Sequence, residues 1–142
     1  LGVTILEALE GDAAEVDLPQ ADKVLVDAPC SGLGVLSKKP DIKWKREPDD
    51  IQKLVDLQRH ILENAARLVR PGGVLVYSSC TIEPEENGWQ MRSFLESHPE
   101  FEVDDARKYL SPQLVNPDGF METYPHRHRM DGAFAARLIR KM

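Results

Sequence analysis

Residues 23–34 read KVLVDAPCSGLG, a short apolar run followed by a turn that contains Cys30. A near-continuous apolar run of this length is typical of a strand that is covered on both faces of a parallel sheet. A second run, GGVLVYSSC at residues 72–80, ends in the same way at Cys80. The chain has two cysteines, and each of them therefore follows a predicted strand.

Strand-like and helix-like segments alternate along the rest of the chain. Pro48 with Asp49 and Asp50 predicts the start of a helix that runs to about Arg70, because proline and acidic residues favour the first helical turn. Pro84 predicts a second helix in the same way. Further strands are predicted at 3–9 (VTILEAL), 101–107 (FEVDDAR) and 132–141 (GAFAARLIRK). This alternation is typical of an α/β domain with a mainly parallel sheet.

Length and composition indicate one folded domain over residues 1–142, with 42% hydrophobic residues. Two cysteines and the lack of an apolar run near about 18 residues predict a cytoplasmic protein with no membrane contact. The net charge of −6 argues against nonspecific binding of nucleic acid over the whole surface.

The segment SKKPDIKWKR at residues 37–46 departs from this acidic balance, and we call it the basic segment. It holds five basic residues around Trp44: Lys38, Lys39, Lys43, Lys45 and Arg46. One interpretation is a strip that follows RNA phosphates with a ring for base stacking. The other interpretation is a solvated loop.

The two cysteines are predicted to share one pocket. Ligands of open parallel sheets bind at the carboxyl ends of the strands, and consecutive strands are usually neighbours, which places these ends roughly 5–10 Å apart. A redox pair would lack the Cys-x-x-Cys spacing, and a zinc site would lack regular ligand spacing. Two ordinary buried cysteines are a further interpretation.

Two longer stretches carry a resemblance to a known family. DKVLVDAPCSGLGVLSKKPDIKW at 22–44 and RPGGVLVYSSCTIEPEENG at 70–88 resemble the Sun/RsmB family of RNA (cytosine-5)-methyltransferases. EGDA at 10–13 and DGAFAARLIRK at 131–141 extend the resemblance over nearly the whole chain. It implies a Rossmann-like class I methyltransferase fold, with one antiparallel strand near the carboxyl terminus.

The resemblance also implies S-adenosylmethionine as cofactor and RNA as partner, with small-subunit ribosomal RNA favoured. Cys80 is implied to attack C6 of cytosine, which activates C5 for methylation by covalent catalysis. Cys30 is implied to assist proton removal from C5 and release of the product. Asp27 is implied to lie between cofactor and base, and no metal is implied.

Other motif positions have weaker implications. Asp12 matches the position that accepts from the adenine amino group of the cofactor, and Pro29 is implied to shape the cofactor side of its loop. Glu85, Glu86 and Asn87 match the segment after the nucleophile, but they could equally start a helix. His126 and His128 either approach the target strand or are solvated.

The resemblance predicts that the chain is the carboxyl-terminal part of a longer enzyme. No GxGxG stretch occurs in it, so we expect the isolated chain to bind the cofactor poorly and to be inactive. We also expect 23–29 to form an exposed strand edge, so that the chain either self-associates or has a rearranged amino-terminal segment. The alternative function is a noncatalytic module that binds RNA or protein.

Overall fold

The computed structural model describes residue 2 and residues 4–142. Within these residues the strands are β1 (Ala21–Asp27), β2 (Val69–Ser79), β3 (Phe101–Val103), β4 (Met121–Thr123) and β5 (Ala133–Arg140). The α-helices are α1 (Ile42–Lys45), α2 (Pro48–Leu68), α3 (Gly88–Ser97) and α4 (Pro125–His128).

The strands form one mixed sheet in the order β1-β2-β5-β3, with β4 also paired to β5. β1 runs parallel to β2, whereas β5 runs antiparallel to β2, β3 and β4. Four of the described strands therefore point one way and β5 points the other. This confirms the predicted α/β fold with a mainly parallel sheet and one antiparallel strand near the carboxyl terminus.

The hydrophobic core lies between the sheet and the two longer helices. Leu62 of α2 and Met91 of α3 pack with Tyr77 and Leu138 of the sheet, and all four side chains are buried. The start of α2 is fixed by a capping box in which the Glu47 side chain accepts from the backbone of Asp50 and the Asp50 carboxylate accepts from the backbone of Glu47. The helix start predicted at Pro48 is therefore confirmed.

The predicted strand at 3–9 is wrong for residues 4–9, and Val3 lies outside the described residues. Ile5 is 96% exposed, and no strand of the described chain pairs with this segment. A strand requires a neighbour to bind its backbone groups, and apolar periodicity alone does not supply one.

Other boundaries also differ from the sequence-based prediction. Residues 84–87 form a turn, and α3 begins only at Gly88. The side chains of Glu86 and Asn87 in that turn are engaged in buried hydrogen bonds, which explains why the turn does not continue as helix. The short strand β4 and helix α4 lie between β3 and β5, where the sequence pattern predicts no helix or strand.

β1 forms an edge of the sheet. Among the described strands it pairs with β2 alone, and the side chain of Leu25 is 69% exposed. The sequence therefore predicted correctly that this apolar strand is an edge of the sheet.

None of the helices in residue 2 and residues 4–142 is long and apolar enough to cross a bilayer.

Candidate active site

The two thiols meet at the carboxyl ends of β1 and β2. Asp27 is paired with Ser78 in the parallel register, so the chain segments that follow the two strands start side by side. Cys30 Sγ lies 3.2 Å from Cys80 Sγ, and the Cys80 backbone N–H donates to Cys30 Sγ at 3.3 Å. The two thiols therefore lie together, as the sequence predicted, and the sulfurs are in direct contact.

The environments of the two thiols differ. Cys30 is half-buried, whereas Cys80 is exposed. Burial, together with the hydrogen bond to Cys80, raises the pKa of the Cys30 thiol to about 11. Cys30 therefore keeps its proton at neutral pH and can donate a hydrogen bond to Cys80 Sγ, which is the sulfur accessible to a substrate.

Two loops carry these cysteines, residues 28–36 (the Cys30 loop) and residues 80–87 (the Cys80 loop). Gly34 N–H donates to the Cys80 carbonyl at 3.0 Å, and Gly132 N–H donates to the Gly34 carbonyl at 2.7 Å. A Cβ at Gly34 would collide with the backbone of both partners. Glycine is required here because three backbone segments approach one another closely.

A buried side chain, Glu86, also joins the two loops. It is 0% exposed, and its carboxylate accepts from the N–H of Ser31 at 2.9 Å and the hydroxyl of Ser31 at 2.5 Å. Gln58 of α2 donates to the same carboxylate at 2.9 Å and to the Pro29 carbonyl at 2.9 Å. Glu86 therefore belongs to the interior of the site, and it does not start a helix.

The rest of the Cys80 loop is held by similar contacts. Asn87 accepts from the Ser79 hydroxyl at 2.6 Å and donates to the Thr81 carbonyl at 3.0 Å. The buried Tyr77 hydroxyl donates to the Glu86 carbonyl at 2.8 Å. Burial raises the pKa of Tyr77, so this donor keeps its proton.

Asp27, predicted as the acid between cofactor and base, lies exposed at the end of β1. It accepts from the Ser78 hydroxyl at 3.0 Å, which fixes one carboxylate oxygen and leaves the side chain open to solvent. Pro29 is also exposed.

Asp12 lies apart from this group. Its carboxylate accepts from the Ala14 N–H at 2.8 Å within a local turn, and Asn64 of α2 holds that turn through the carbonyls of Ala13 and Val16. No hydrogen bond in the described part of the chain joins Asp12 to Asp27 or to the thiols.

In the basic segment, some cations form an ion pair with a carboxylate and others do not. Lys38 pairs with Asp131 at 2.5 Å and Lys45 pairs with Asp41 at 2.6 Å. Among the described residues, no carboxylate lies within ion-pair distance of Lys39 or Lys43. Arg46 and Trp44 make contacts of other kinds.

Arg46 serves the Cys30 loop. Its guanidinium donates to the Ser31 carbonyl at 3.1 Å and, at a longer 3.4 Å, to the Cys30 carbonyl. Trp44 is 79% exposed, and the Lys43 ammonium lies 4.7 Å from its ring centroid. An exposed ring next to cations is consistent with a stacking platform, whereas Arg46 has a structural contact that the sequence did not indicate.

A cleft of about 570 Å³ lies between the basic segment, the start of α2 and the Cys80 loop. Its lining residues include Lys43, Arg46, Ile51 and Glu85.

The predicted histidines lie elsewhere. His128 accepts at Nδ1 from the Tyr124 N–H and contacts the Gln113 carbonyl through Nε2, and His126 packs against Tyr124. His128 is thus engaged in a local turn.

Sequence reasoning missed three polar residues of the site: Ser31, Gln58 and Thr81. Gln58 had a detectable signal, because it interrupts the apolar stripe of α2 at a position three residues before Ile61. A polar residue on a buried stripe needs a hydrogen-bond partner, and such a residue marks a candidate site.

A family model described as 16S rRNA methyltransferase RsmB/F matches residues 1–139. The chain belongs to this family. It is 40% identical to the probable ribosomal RNA small subunit methyltransferase B of Bacillus subtilis, with 99% of the chain and 33% of that protein covered. It is 41% identical to ribosomal RNA small subunit methyltransferase B of Shewanella oneidensis, with 94% of the chain and 31% of that protein covered.

A solved structure of NSun6 from Pyrococcus horikoshii with SFG superposes with a TM-score of 0.84 at 31% identity, covering 99% of this chain and 36% of that one. A methyltransferase homolog protein from the same organism gives a TM-score of 0.66 at 34% identity, covering 87% and 40%. These structures support the Rossmann-like methyltransferase fold. The chain spans about a third of the length of its RsmB/F relatives.

Proposed function

We propose that this chain carries the two catalytic cysteines of an S-adenosylmethionine-dependent methyltransferase that modifies C5 of cytosine in RNA. The RsmB/F relatives are named for methylation of small-subunit ribosomal RNA, and this RNA is the proposed substrate class. The observation that carries the cytosine-5 assignment is the contact of Cys30 Sγ and Cys80 Sγ at 3.2 Å.

Cys80 is the proposed nucleophile because its side chain is exposed, whereas Cys30 is half-buried and keeps its proton. The Cys80 thiolate forms a bond to C6 of cytosine, and the electron pair of the C5–C6 double bond moves so that C5 becomes nucleophilic. After C5 is methylated, a base such as water accepts the C5 proton, the electron pair of the C5–H bond restores the double bond, and Cys80 leaves C6 as a thiolate. Cys30 assists these last two steps through the hydrogen bond that its thiol donates to the departing Cys80 sulfur.

The described residues offer a partial fit for S-adenosylmethionine, which supplies the methyl group when bound. Asp27 has an exposed carboxylate beside the open edge of β1, and Pro29 is exposed next to it. Asp12 would contact the adenine amino group, although its carboxylate now holds a local turn. No GxGxG stretch is present, so poor binding of the cofactor by the isolated chain remains part of the proposal.

RNA is proposed to approach over the basic segment and the cleft of about 570 Å³ beside it. Trp44 offers a ring for base stacking, and Lys39 and Lys43 offer cations for phosphates. A cytoplasmic location fits this substrate.

Cysteine variants of the full-length protein test the proposal. Cys80→Ala should abolish both methyl transfer and any covalent RNA adduct, whereas Cys30→Ala should accumulate an adduct that denaturing gels detect. Adducts in Cys80→Ala but not in Cys30→Ala would reverse the two roles. If methyl transfer persists in both variants, the activity resides elsewhere in the full-length protein, and this chain is the noncatalytic binding module.

A further inference from the structure

The position of Cys30 depends on how the backbone of the next residue, Ser31, is held. Ser31 is 0% exposed. The Arg46 guanidinium donates to the Ser31 carbonyl at 3.1 Å, and the Glu86 carboxylate accepts from the Ser31 N–H at 2.9 Å. The peptide groups on either side of Ser31 are therefore gripped by side chains from two other segments of the chain.

Glu86 belongs to the loop of the second cysteine, six residues after Cys80. A single side chain therefore links the Cys80 loop to the residue that adjoins Cys30. Three donors converge on its carboxylate: the Ser31 N–H, the Ser31 hydroxyl and the Gln58 side-chain amide. All three donors are uncharged.

The hydrogen-bond directions follow from these contacts. The Ser31 hydroxyl donates to Glu86 at 2.5 Å, so its contact with Thr81 Oγ1 at 2.7 Å must be accepted from the Thr81 hydroxyl. Thr81 Oγ1 in turn accepts from the Glu83 N–H at 3.2 Å. The chain of donors runs from the Cys80 loop, through Ser31, and back to Glu86 in the same loop.

Only a carboxylate can complete this arrangement, because both of its oxygens accept. An amide at position 86 would replace one accepting oxygen with an NH2 donor group and would force the Ser31 and Thr81 hydroxyls to reverse. An alanine would leave the Ser31 N–H and one N–H of the Gln58 amide buried without an acceptor, and the Ser31 hydroxyl would keep only Thr81 Oγ1 as a partner, which carries a large free-energy cost.

We infer that Glu86 is a positioning residue that holds the Cys30 loop against the Cys80 loop and so keeps the two sulfurs in contact. It does not touch a substrate, since its side chain is buried. The catalytic meaning of this role rests on the proposed function, but thiol proximity can be measured without any methyl transfer.

Phenylarsine oxide is a suitable probe because it reports close thiol pairs. It condenses with two thiols to form two As–S bonds and water, with no change in oxidation state. The titration uses the full-length protein, and the signal assigned to this pair is the part that Cys30→Ser removes. Glu86→Ala should weaken that binding by about tenfold or more, because the buried hydrogen bonds that hold the loop are lost.

Two milder variants keep the test decisive if Glu86→Ala does not fold. Ser31→Ala removes the hydroxyl link but keeps the N–H link, and Glu86→Gln keeps the size of the side chain. Both should give intermediate losses of arsenical affinity, with Glu86→Gln retaining more than Glu86→Ala where both fold.

Asp104→Ala is the matched control. It also deletes a buried carboxylate that binds three donors, but its partners are Lys108, Tyr109 and Arg137, and none of these residues contacts the thiols. It should leave arsenical affinity unchanged while lowering stability. Unchanged affinity in every folded Glu86 and Ser31 variant would overturn the inference, even if the cysteine variants had confirmed the proposed function.

Discussion

Two buried carboxylates, Glu86 and Asp104, each bind three donors, but the donors differ. Glu86 binds uncharged groups, whereas Asp104 binds Lys108 at 2.7 Å, the Tyr109 hydroxyl at 2.8 Å and Arg137 at 2.7 Å. Asp104 is 2% exposed, while the side chains of Lys108 and Arg137 are 62% and 31% exposed. The cations of this cluster therefore keep contact with water.

This difference in donors distinguishes Asp104, which belongs to a structural cluster of ion pairs, from Glu86, which lies in the interior of the candidate site. If Asp104 were removed, its two cations could be solvated again because both reach the surface. If Glu86 were removed, the Ser31 and Gln58 donors would stay buried, since both residues are 0% exposed. Buried donors without acceptors cost more than exposed charges without partners.

The largest expected effect is on the free energy of unfolding. We expect Glu86→Ala to lower it by about 3–5 kcal/mol and Asp104→Ala by about 1.5–3 kcal/mol, because only the former strands buried donors. Urea denaturation of both variants measures the difference. A greater loss for Asp104→Ala would break the distinction between the two carboxylates.

A smaller effect should appear in the pH dependence of stability. Burial raises the pKa of Asp104, but the hydrogen bonds from Lys108, Tyr109 and Arg137 outweigh it and lower the net value below the ordinary 3.8. A lowered folded pKa gives stability that is complete above the unfolded value and is lost as the pH falls through the folded value.

The stability difference between the unaltered protein and Asp104→Asn should therefore stay constant from about pH 8 to pH 6 and shrink below about pH 4. Unfolding by urea at a series of pH values tests this expectation. A difference that grows in acid would mean that the carboxylate gains nothing from its cations.

The sequence predicted the strands that carry the candidate site, but it did not predict the side-chain contacts between the loops that follow them. Apolar runs identified β1 and β2, and their shared direction placed the two cysteines together. The role of Glu86 could not be read from the sequence, because its motif is equally compatible with a helix start. Its partner Ser31 is distant in sequence, and that contact exists only once the two strands pair.

A third effect concerns an edge of the sheet where backbone groups lack a strand partner. We propose that the isolated chain self-associates through β1, whose Leu25 is 69% exposed and whose outer side pairs with no described strand. Leu25→Lys should weaken dimerisation by about tenfold in sedimentation experiments. Leu57→Lys, which alters an exposed leucine of α2, is the control, and an equal effect of both variants would exclude the strand edge.

The smallest expected effect is on the salt dependence of RNA binding by the basic segment. Some cations of this segment already have a carboxylate partner, as Lys108 and Arg137 do at Asp104. Lys45 pairs with Asp41, whereas no carboxylate of the described residues lies within ion-pair distance of Lys39 or Lys43. A cation that is free before binding can neutralise an RNA phosphate without first losing a partner. Lys39→Ala and Lys43→Ala should therefore each reduce the salt slope of RNA binding by about 0.7 in the full-length protein.

Lys45→Ala should reduce the slope by less, because its charge is partly compensated in the free protein. Asp41→Ala separates the two explanations for a small Lys45 effect. If the ion pair is what limits Lys45, this variant should make the slope steeper, since it releases the lysine for a phosphate. If the slope is unchanged in all four variants, the basic segment is a solvated loop and RNA must approach the thiols from another side.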